Sequence, residues 1–365
     1  MKKLLFFINY LGSGGAQRQI VELALELRNR GYIVKFLIYQ REYSDFYLNY
    51  LLKNDIIVDG IYEKNYFKRI FKVRKYLRSQ ECDVVISFLE VASFMSELSV
   101  LPNRRWKLIV CERSADPSKL TSFKLRFFLY LHGLADKIVA NSYENIKLVK
   151  KVNPFLPEKK LSVIYNMYNE IKLFRKLDYQ YCCNGKFVVL VPSSHRYLKN
   201  LGGLIEAVKL LPVEYRNKLH IKWFGSNSFD DSLKEGKEKI KIYALENNFS
   251  FYEPTLDIYD YMRNADAIGL FSHFEGLPNA ICEGMFLGKP IIATSVSDIP
   301  LLLREKENGF LCYSKDSKSI SQALIRFMNT PLDELKLMGE RNSFLARSLF
   351  SREKVVNAYE KIIGE

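Results

Sequence analysis

Phe274-Glu275-Gly276-Leu277-Pro278-Asn279-Ala280-Ile281-Cys282-Glu283-Gly284-Met285 is the stretch on which the reading of this chain turns. An apolar run over 267–271 ends just before it and reads as a buried strand. A helical pattern opens near Leu277, with Pro278 expected in the first turn, where a missing N–H removes no hydrogen bond. Two carboxylates bracket that helix start: Glu275 in the loop mouth, and Glu283 expected about two turns in. The backbone from Gly276 through Leu277 and Pro278 to Asn279 leaves unpaired N–H groups that can hold a phosphate, and carboxylates accept hydrogen bonds from sugar hydroxyls. A capping acid and an exposed helix acid would explain either glutamate alone. The whole string, at the end of a strand, points instead to a ligand site.

The strand-then-helix order around it repeats along the chain. Apolar runs at 187–191, 219–224, 249–252 and 290–293 join the one at 267–271, with helices starting near Asn200, Asp231, Asp257, Leu277 and Asp316. The first half follows the same scheme, with runs at 3–9, 33–40, 83–88, 107–111, 137–141 and 161–165. A helix is predicted over 17–30, where Ile20, Val21, Ala24 and Leu27 recur at helical spacing and Gly31 closes it. Strands alternating with helices build parallel sheets covered on both faces, so the expected class is α/β with two doubly wound, Rossmann-like units. Residues 166–184, polar and aromatic without a period, read as the linker. Ligands bind such sheets at the carboxyl ends of the strands, and a central cleft between the two units is expected.

Composition agrees with two cores. The chain has 365 residues, 48% hydrophobic and 26% charged, with only 11 Pro, which excludes extended disorder. No apolar run approaches the ~18–20 residues of a membrane span, and Met1-Lys2-Lys3 leads into a short strand without a signal-peptide pattern. A cytoplasmic protein is expected. The six cysteines hold no C-x-x-C pair, so buried free thiols fit better than a disulfide framework. Four scattered histidines and the lack of any Asp-x-Asp leave no candidate metal ligands, and no cofactor is expected. Charge says more. Residues 1–167 hold 28 basic and 16 acidic residues, against 27 and 25 in the rest, so nearly all of the +14 net charge sits in the first half. That half is expected to face something anionic. Nucleic acid is not the expected partner, because no helix-turn-helix, zinc or RNP-like motif accompanies the charge.

Three further stretches matter. Gly12-Ser13-Gly14-Gly15-Ala16 follows the first strand and opens a helix, and its glycines permit close approach of N–H groups to an anion. Cys111-Glu112-Arg113-Ser114-Ala115-Asp116-Pro117 follows the strand at 107–111. Glu112 and Arg113 there read either as acceptor-side contacts or as a loop salt bridge beside an Asp-Pro turn. Residues 64–78 carry seven basic residues and no acid, with Phe67, Ile70, Phe71, Arg74 and Leu77 on one helical face. A second stretch, 119–132, mixes Lys119, Lys124 and Arg126 with Phe123, Phe127, Phe128 and Tyr130. Such helices suit an anionic membrane surface, each cation contributing ~1 kcal/mol, although a covering helix with its apolar side on the sheet would account for the aromatics.

Glu275-x7-Glu283 within EGLPNAICEGMFLGKPIIAT resembles the signature of retaining GT-B glycosyltransferases of glycosyltransferase family four. INYLGSGGAQRQIVELALELRNRG, ADKIVANSYENIKLV, VIYNMYN and VPSSHRYLKNLGGLIEAVKLL are similar, in order, to other segments of that family, so the resemblance spans almost the whole chain. It implies an N-terminal acceptor-side domain over 1–167 and a nucleotide-sugar domain over 168–348. A final helix over 349–365 would return to the first. It implies transfer of a sugar, with retention and without a metal, from a nucleoside diphosphate sugar (UDP is the expected nucleotide) to a glycan. That glycan acceptor would be lipid-linked and used in cell-surface polysaccharide or oligosaccharide assembly on the inner face of the membrane. Glu283 would take the ribose hydroxyls and Glu275 the donor sugar. Gly276, Leu277, Pro278 and Asn279 would support sugar and diphosphate, with Gly14 and Gly15 approaching the phosphate and Lys199 neutralising it. Where the family has Gly-Arg this chain has Ser193-Ser194, and Arg196 is expected to supply the missing cation. A GT-B-like epimerase or phosphorylase, or a non-catalytic subunit of the same fold, is the alternative.

Overall fold

The computed structural model describes the chain apart from residues 13, 41–45, 169–180, 183–184, 228–229 and 256. Most of the expected linker, 166–184, therefore lies outside the described residues. The chain divides into two compact units, one made of Met1–Met167 with Arg352–Glu365 and the other of Tyr168–Ser351. Among the described residues no helix is long and apolar enough to cross a membrane.

The first unit holds a parallel sheet of β1 (Lys3–Ile8), β2 (Ile33–Ile38), β3 (Ile57–Gly60), β4 (Val84–Phe88), β5 (Lys107–Glu112), β6 (Lys137–Ala140) and β7 (Leu161–Val163). Their order is β3-β2-β1-β4-β5-β6-β7. Side chains alternate across a strand, so Leu4, Phe6 and Ile8 pack on one side with Ile20, Ala24 and Leu27 of the helix Gly15–Asn29. Leu5 and Phe7 pack on the other side with Val73, Leu77 and Met95. Both faces are covered, which is why these strands read as continuous apolar runs. The helix Arg352–Gly364 completes the first face with Val355, Val356, Tyr359, Ile362 and Ile363. Its last carbonyls accept from lysines, Ile363 O from Lys2 Nζ at 2.7 Å and Ile362 O from Lys107 Nζ at 2.5 Å. Cations thus meet the negative end of the helix.

The second unit repeats the plan with β8 (Phe187–Pro192), β9 (Leu219–Phe224), β10 (Phe249–Tyr252), β11 (Ala267–Leu270), β12 (Ile291–Thr294) and β13 (Gly309–Cys312), ordered β10-β9-β8-β11-β12-β13. In both sheets the order reverses beside the first strand, between β1 and β4 and between β8 and β11.

The structure departs from the sequence reading at several points. Neither β3 nor β13 was expected. The helix after β11 starts at Asn279 with Pro278 as its N-cap, not inside the first turn, and Glu283 lies one turn in rather than two. On the helix Tyr66–Ser79 the buried residues are Val73 and Leu77, whereas Phe67 and Phe71 stand outward.

The helix Asn279–Phe286 is held from behind by the long helix Leu332–Phe350. Gly339 meets the turn at Gly288 so closely that a Cβ on Gly339 would lie 2.0 Å from Gly288 O. Asn342 Nδ2 adds bonds to Lys289 O at 2.8 Å and Asn308 O at 2.7 Å. Gly339→Ala must push backbone apart and is expected to destabilise the second unit by about 1–3 kcal/mol, as other overpacking changes do. Alanine at the exposed Lys336 should stay within about 0.5 kcal/mol. Urea melts of the two variants check this.

Candidate active site

Lys199 and Glu275 come from the loops after β8 and β11, the two strands that flank the reversal of order in the second sheet. Doubly wound sheets place ligands at that position. After β8 the chain runs through Ser193 to a short turn, Tyr197–Lys199, and then to Asn200 in the left-handed region at φ 61°, ψ 41°. Asparagine tolerates that conformation better than most residues. Its side chain ties three loops: Oδ1 accepts from Gly203 N at 3.1 Å, and Nδ2 donates to Phe271 O at 3.1 Å and Ser314 O at 2.7 Å. His273 N donates to Leu198 O at 2.9 Å, which binds the same two loops again. Held in this way, Lys199 Nζ lies 2.5 Å from Glu275 Oε1, and Ser272 Oγ donates to the same oxygen at 2.6 Å. Both charged side chains remain partly exposed. An ammonium has three N–H groups and a carboxylate two oxygens, so each partner keeps capacity for a ligand.

Gly276, Leu277 and Pro278 form the turn into the helix Asn279–Phe286, and Gly276 O accepts from Ser297 Oγ. Thr294 Oγ1, at the end of β12, donates to Ser272 O at 2.7 Å. Asn279 Oδ1 accepts from Tyr168 Oη at 2.8 Å, and the buried Glu283 accepts from Tyr259 Oη at 3.3 Å. Glu275, Gly276, Leu277, Pro278, Asn279, Glu283 and Lys199 thus gather at one edge of the sheet. Arg196 is half-buried in the loop before Lys199, and its charge acts on Asp230. The loop is braced beneath by His195, buried flat against Trp223 with ring centroids 5.6 Å apart. Burial above all, and then Lys237, lowers its pKa to about 4, so this histidine packs as a neutral ring. Sequence reasoning missed Asn200, Ser272, Thr294, Ser297 and Tyr259. Ser272 and Thr294 carried one signal, a polar residue directly after an apolar run, and the other three carried none.

In the first unit Gly14 is the N-cap of the helix Gly15–Asn29. Gln17 is buried and donates to Asn9 Oδ1, past the end of β1, at 3.3 Å. Glu112 and Arg113 lie at the end of β5. Arg113 covers the Phe88 ring at 4.3 Å and donates to Asn166 Oδ1 at 3.0 Å and to Tyr359 Oη. Glu112 is only 2% exposed and belongs to a buried ionic network. Lys119 Nζ lies 2.5 Å from its Oε2 and 2.9 Å from Glu90 Oε1. His132 Nε2 lies 3.1 Å from Glu112 Oε1, and its Nδ1 lies 2.6 Å from Glu97 Oε1. Burial opposes ionisation of Glu112, yet Lys119 and His132 outweigh it and hold the carboxyl at about 2. Burial likewise disfavours the His132 cation, but Glu97 and Glu112 raise its pKa to about 10. Breaking one partner of such a buried group leaves an uncompensated charge, at a cost of ~3–5 kcal/mol.

The raised His132 pKa fixes a sign. Its stabilisation is fully present below the unfolded value of about 6.5 and is lost as pH rises towards about 10. Urea melts between pH 7 and 10 should show the wild type losing more stability than His132→Gln. Parallel curves would mean that His132 is neutral in the fold.

Residues 183–343 match the family model for glycosyl transferases group 1, and residues 13–170 match that for glycosyltransferase family 4. An uncharacterized glycosyltransferase of Haemophilus influenzae is 25% identical over 369 residues, spanning 100% of both chains. The alpha-1,4-N-acetyl-D-galactosaminyltransferase of Campylobacter jejuni, named for an undecaprenol-diphosphate-linked glycan, is 24% identical over 353 residues, 90% of this chain and 89% of its own. The crystal structure of HepE from Anabaena in complex with UDP matches with a TM-score of 0.86 at 18% identity, over 100% of both chains, and the same protein has been solved with UDP-glucose. With its first unit matched by one model and its second by the other, the chain belongs to the glycosyltransferases of family four and has their GT-B fold.

Proposed function

We propose that this glycosyltransferase moves a sugar, with retention, from a UDP-sugar to a lipid-linked glycan at the inner face of the membrane, in cell-surface glycan assembly. The observation that carries the donor half is the Lys199–Glu275 pair, 2.5 Å apart at the reversal of strand order and beside the start of the helix Asn279–Phe286. When the glycosidic bond to the diphosphate breaks, negative charge gathers on the departing phosphate oxygens. Lys199, Arg196 and the N–H groups of the turn Gly276–Asn279 supply positive potential there, and fixed donors of this kind are the main term in such catalysis. No metal is required in this scheme. Glu275 has a carboxylate oxygen available to donor hydroxyls, and Glu283, one turn deeper, suits the ribose. The UDP complexes of HepE and the family signature support the nucleotide, and the signature supports retention. The lipid-linked acceptor is supported by the undecaprenol-diphosphate-linked glycan for which the Campylobacter relative is named and by the basic first unit. Arg113 and the Glu112 network lie at the end of β5 in that unit, and there we place acceptor contact with Arg113, which Asn166, Tyr359 and the Phe88 ring hold in place.

Calorimetry with UDP tests the site. Glu283→Ala should weaken binding at least tenfold, Glu275→Ala should chiefly lower turnover, and Lys199→Ala should lose most activity. Unchanged UDP affinity in Glu283→Ala would remove the ribose assignment. Turnover should survive EDTA; loss of activity restored by magnesium would overturn the metal-free account of the leaving group.

A further inference from the structure

Two helices of the first unit carry apolar residues on both sides. The helix Tyr66–Ser79 buries Val73 and Leu77 but leaves Phe67 72% and Phe71 71% exposed. The helix Phe123–Leu131 buries Phe128 and Leu129 and leaves Phe123 86% exposed, with Phe127 and Tyr130 beside it. Both pack against the helix Glu90–Ser99. They adjoin one another, since Lys124 Nζ lies 5.7 Å from the ring centroids of both Tyr66 and Phe128. Asn153 Nδ2 donates to Tyr130 O at 3.0 Å, so the segment that carries Phe155, 87% exposed, starts beside this helix. A groove of about 420 Å³ opens there, lined by Thr121, Phe123, Arg126, Phe127, Tyr130 and Val152.

Soluble proteins rarely leave so many large rings in water on one face. The ionisable residues on the outer sides of these two helices are all basic: Lys68, Lys72 and Lys75 on one, Lys124 and Arg126 on the other. Among the described residues, Lys72 is the one of these in an ion pair, with Glu63, whose carboxylate the Lys68 charge also stabilises. Rings to insert, cations at the same level and an apolar slot with a cation at its rim together fit an anionic leaflet.

We propose that the groove takes one hydrocarbon chain of an anionic phospholipid in the leaflet, with Phe67, Phe71 and Phe123 inserted beside it and Arg126 at the phosphate. This rests on the membrane part of the reading above and names its anchor. Co-sedimentation with vesicles of phosphatidylcholine containing 30% phosphatidylglycerol tests it. Wild-type protein should bind these and not pure phosphatidylcholine, and part of the binding should persist in high salt, because insertion is not screened as exposed charge is. Phe127→Asp with Phe123→Ser should lower affinity roughly tenfold. Lys68→Gln with Lys124→Gln should remove mainly the salt-sensitive part. Phosphatidylglycerol carrying a diazirine on its acyl chain should crosslink to residues 121–130 or to Val152. Unchanged binding in the aromatic variant, or adducts elsewhere, would overturn the proposal. So would a dimer in vesicle-free sedimentation that the same variant dissociates. UDP calorimetry on these variants should match wild type, which shows that they fold. Wild-type protein that binds vesicles but not UDP would instead overturn the donor-site reading alone.

Discussion

In the middle of its central strands, a parallel sheet covered by helices on both faces leaves no room for a charged side chain. Residues Leu4 to Ile8 of β1 are all buried, as are all of β11 and β12. Polar chemistry is therefore confined to the places where strands end, and the backbone groups released there must find partners in neighbouring loops. Asn200, Ser272, Thr294 and Ser297 meet that demand in the second unit. The bonds that satisfy buried backbone are also the ones that aim Lys199 and Glu275. Satisfaction of the loops and construction of the site are one event.

The two units use ion pairs in opposite ways. Lys199 and Glu275 meet where solvent still reaches both, so a phosphate or a hydroxyl can join or replace either partner at modest desolvation cost. Lys119, Glu112, His132 and Glu97 meet where solvent does not reach, and there each charge is tolerable only because the others remain. Glu90, its side chain 27% exposed, is the member of that network nearest to water. A ligand arriving at the end of β5 would meet Arg113 and the rim of this array rather than its centre.

Most of the fold was legible because burial on both faces writes strands as unbroken apolar runs. The omissions were at the margins. β3, Ile-Val-Asp-Gly, and β13, Gly-Phe-Leu-Cys, are short edge strands that each include a glycine, and β3 is only half covered, so neither reads as an unbroken apolar run. The grouping of the candidate site was legible where its residues are adjacent, from Glu275 to Glu283, and Lys199, which the structure places beside Glu275, came from the family resemblance. The network at 90, 97, 112, 119 and 132 was not, because its members sit on separate elements and only the fold brings them together. Phe67 and Phe71 show the limit of periodicity: helical spacing groups residues on a face but does not say which face meets the sheet.

The helix Arg352–Gly364 has a consequence for the making of the protein. The first sheet is complete in sequence by Val163, yet the face of β1 stays unfinished until Val355, Val356 and Tyr359 leave the ribosome. At ~5–20 residues per second, the intervening Tyr168–Ser351 segment takes roughly 10–40 s to synthesise. The second unit is a continuous stretch and can close as it emerges. The first must wait beside it with an open apolar strip, and in that interval a chaperone would have its best purchase on the nascent chain.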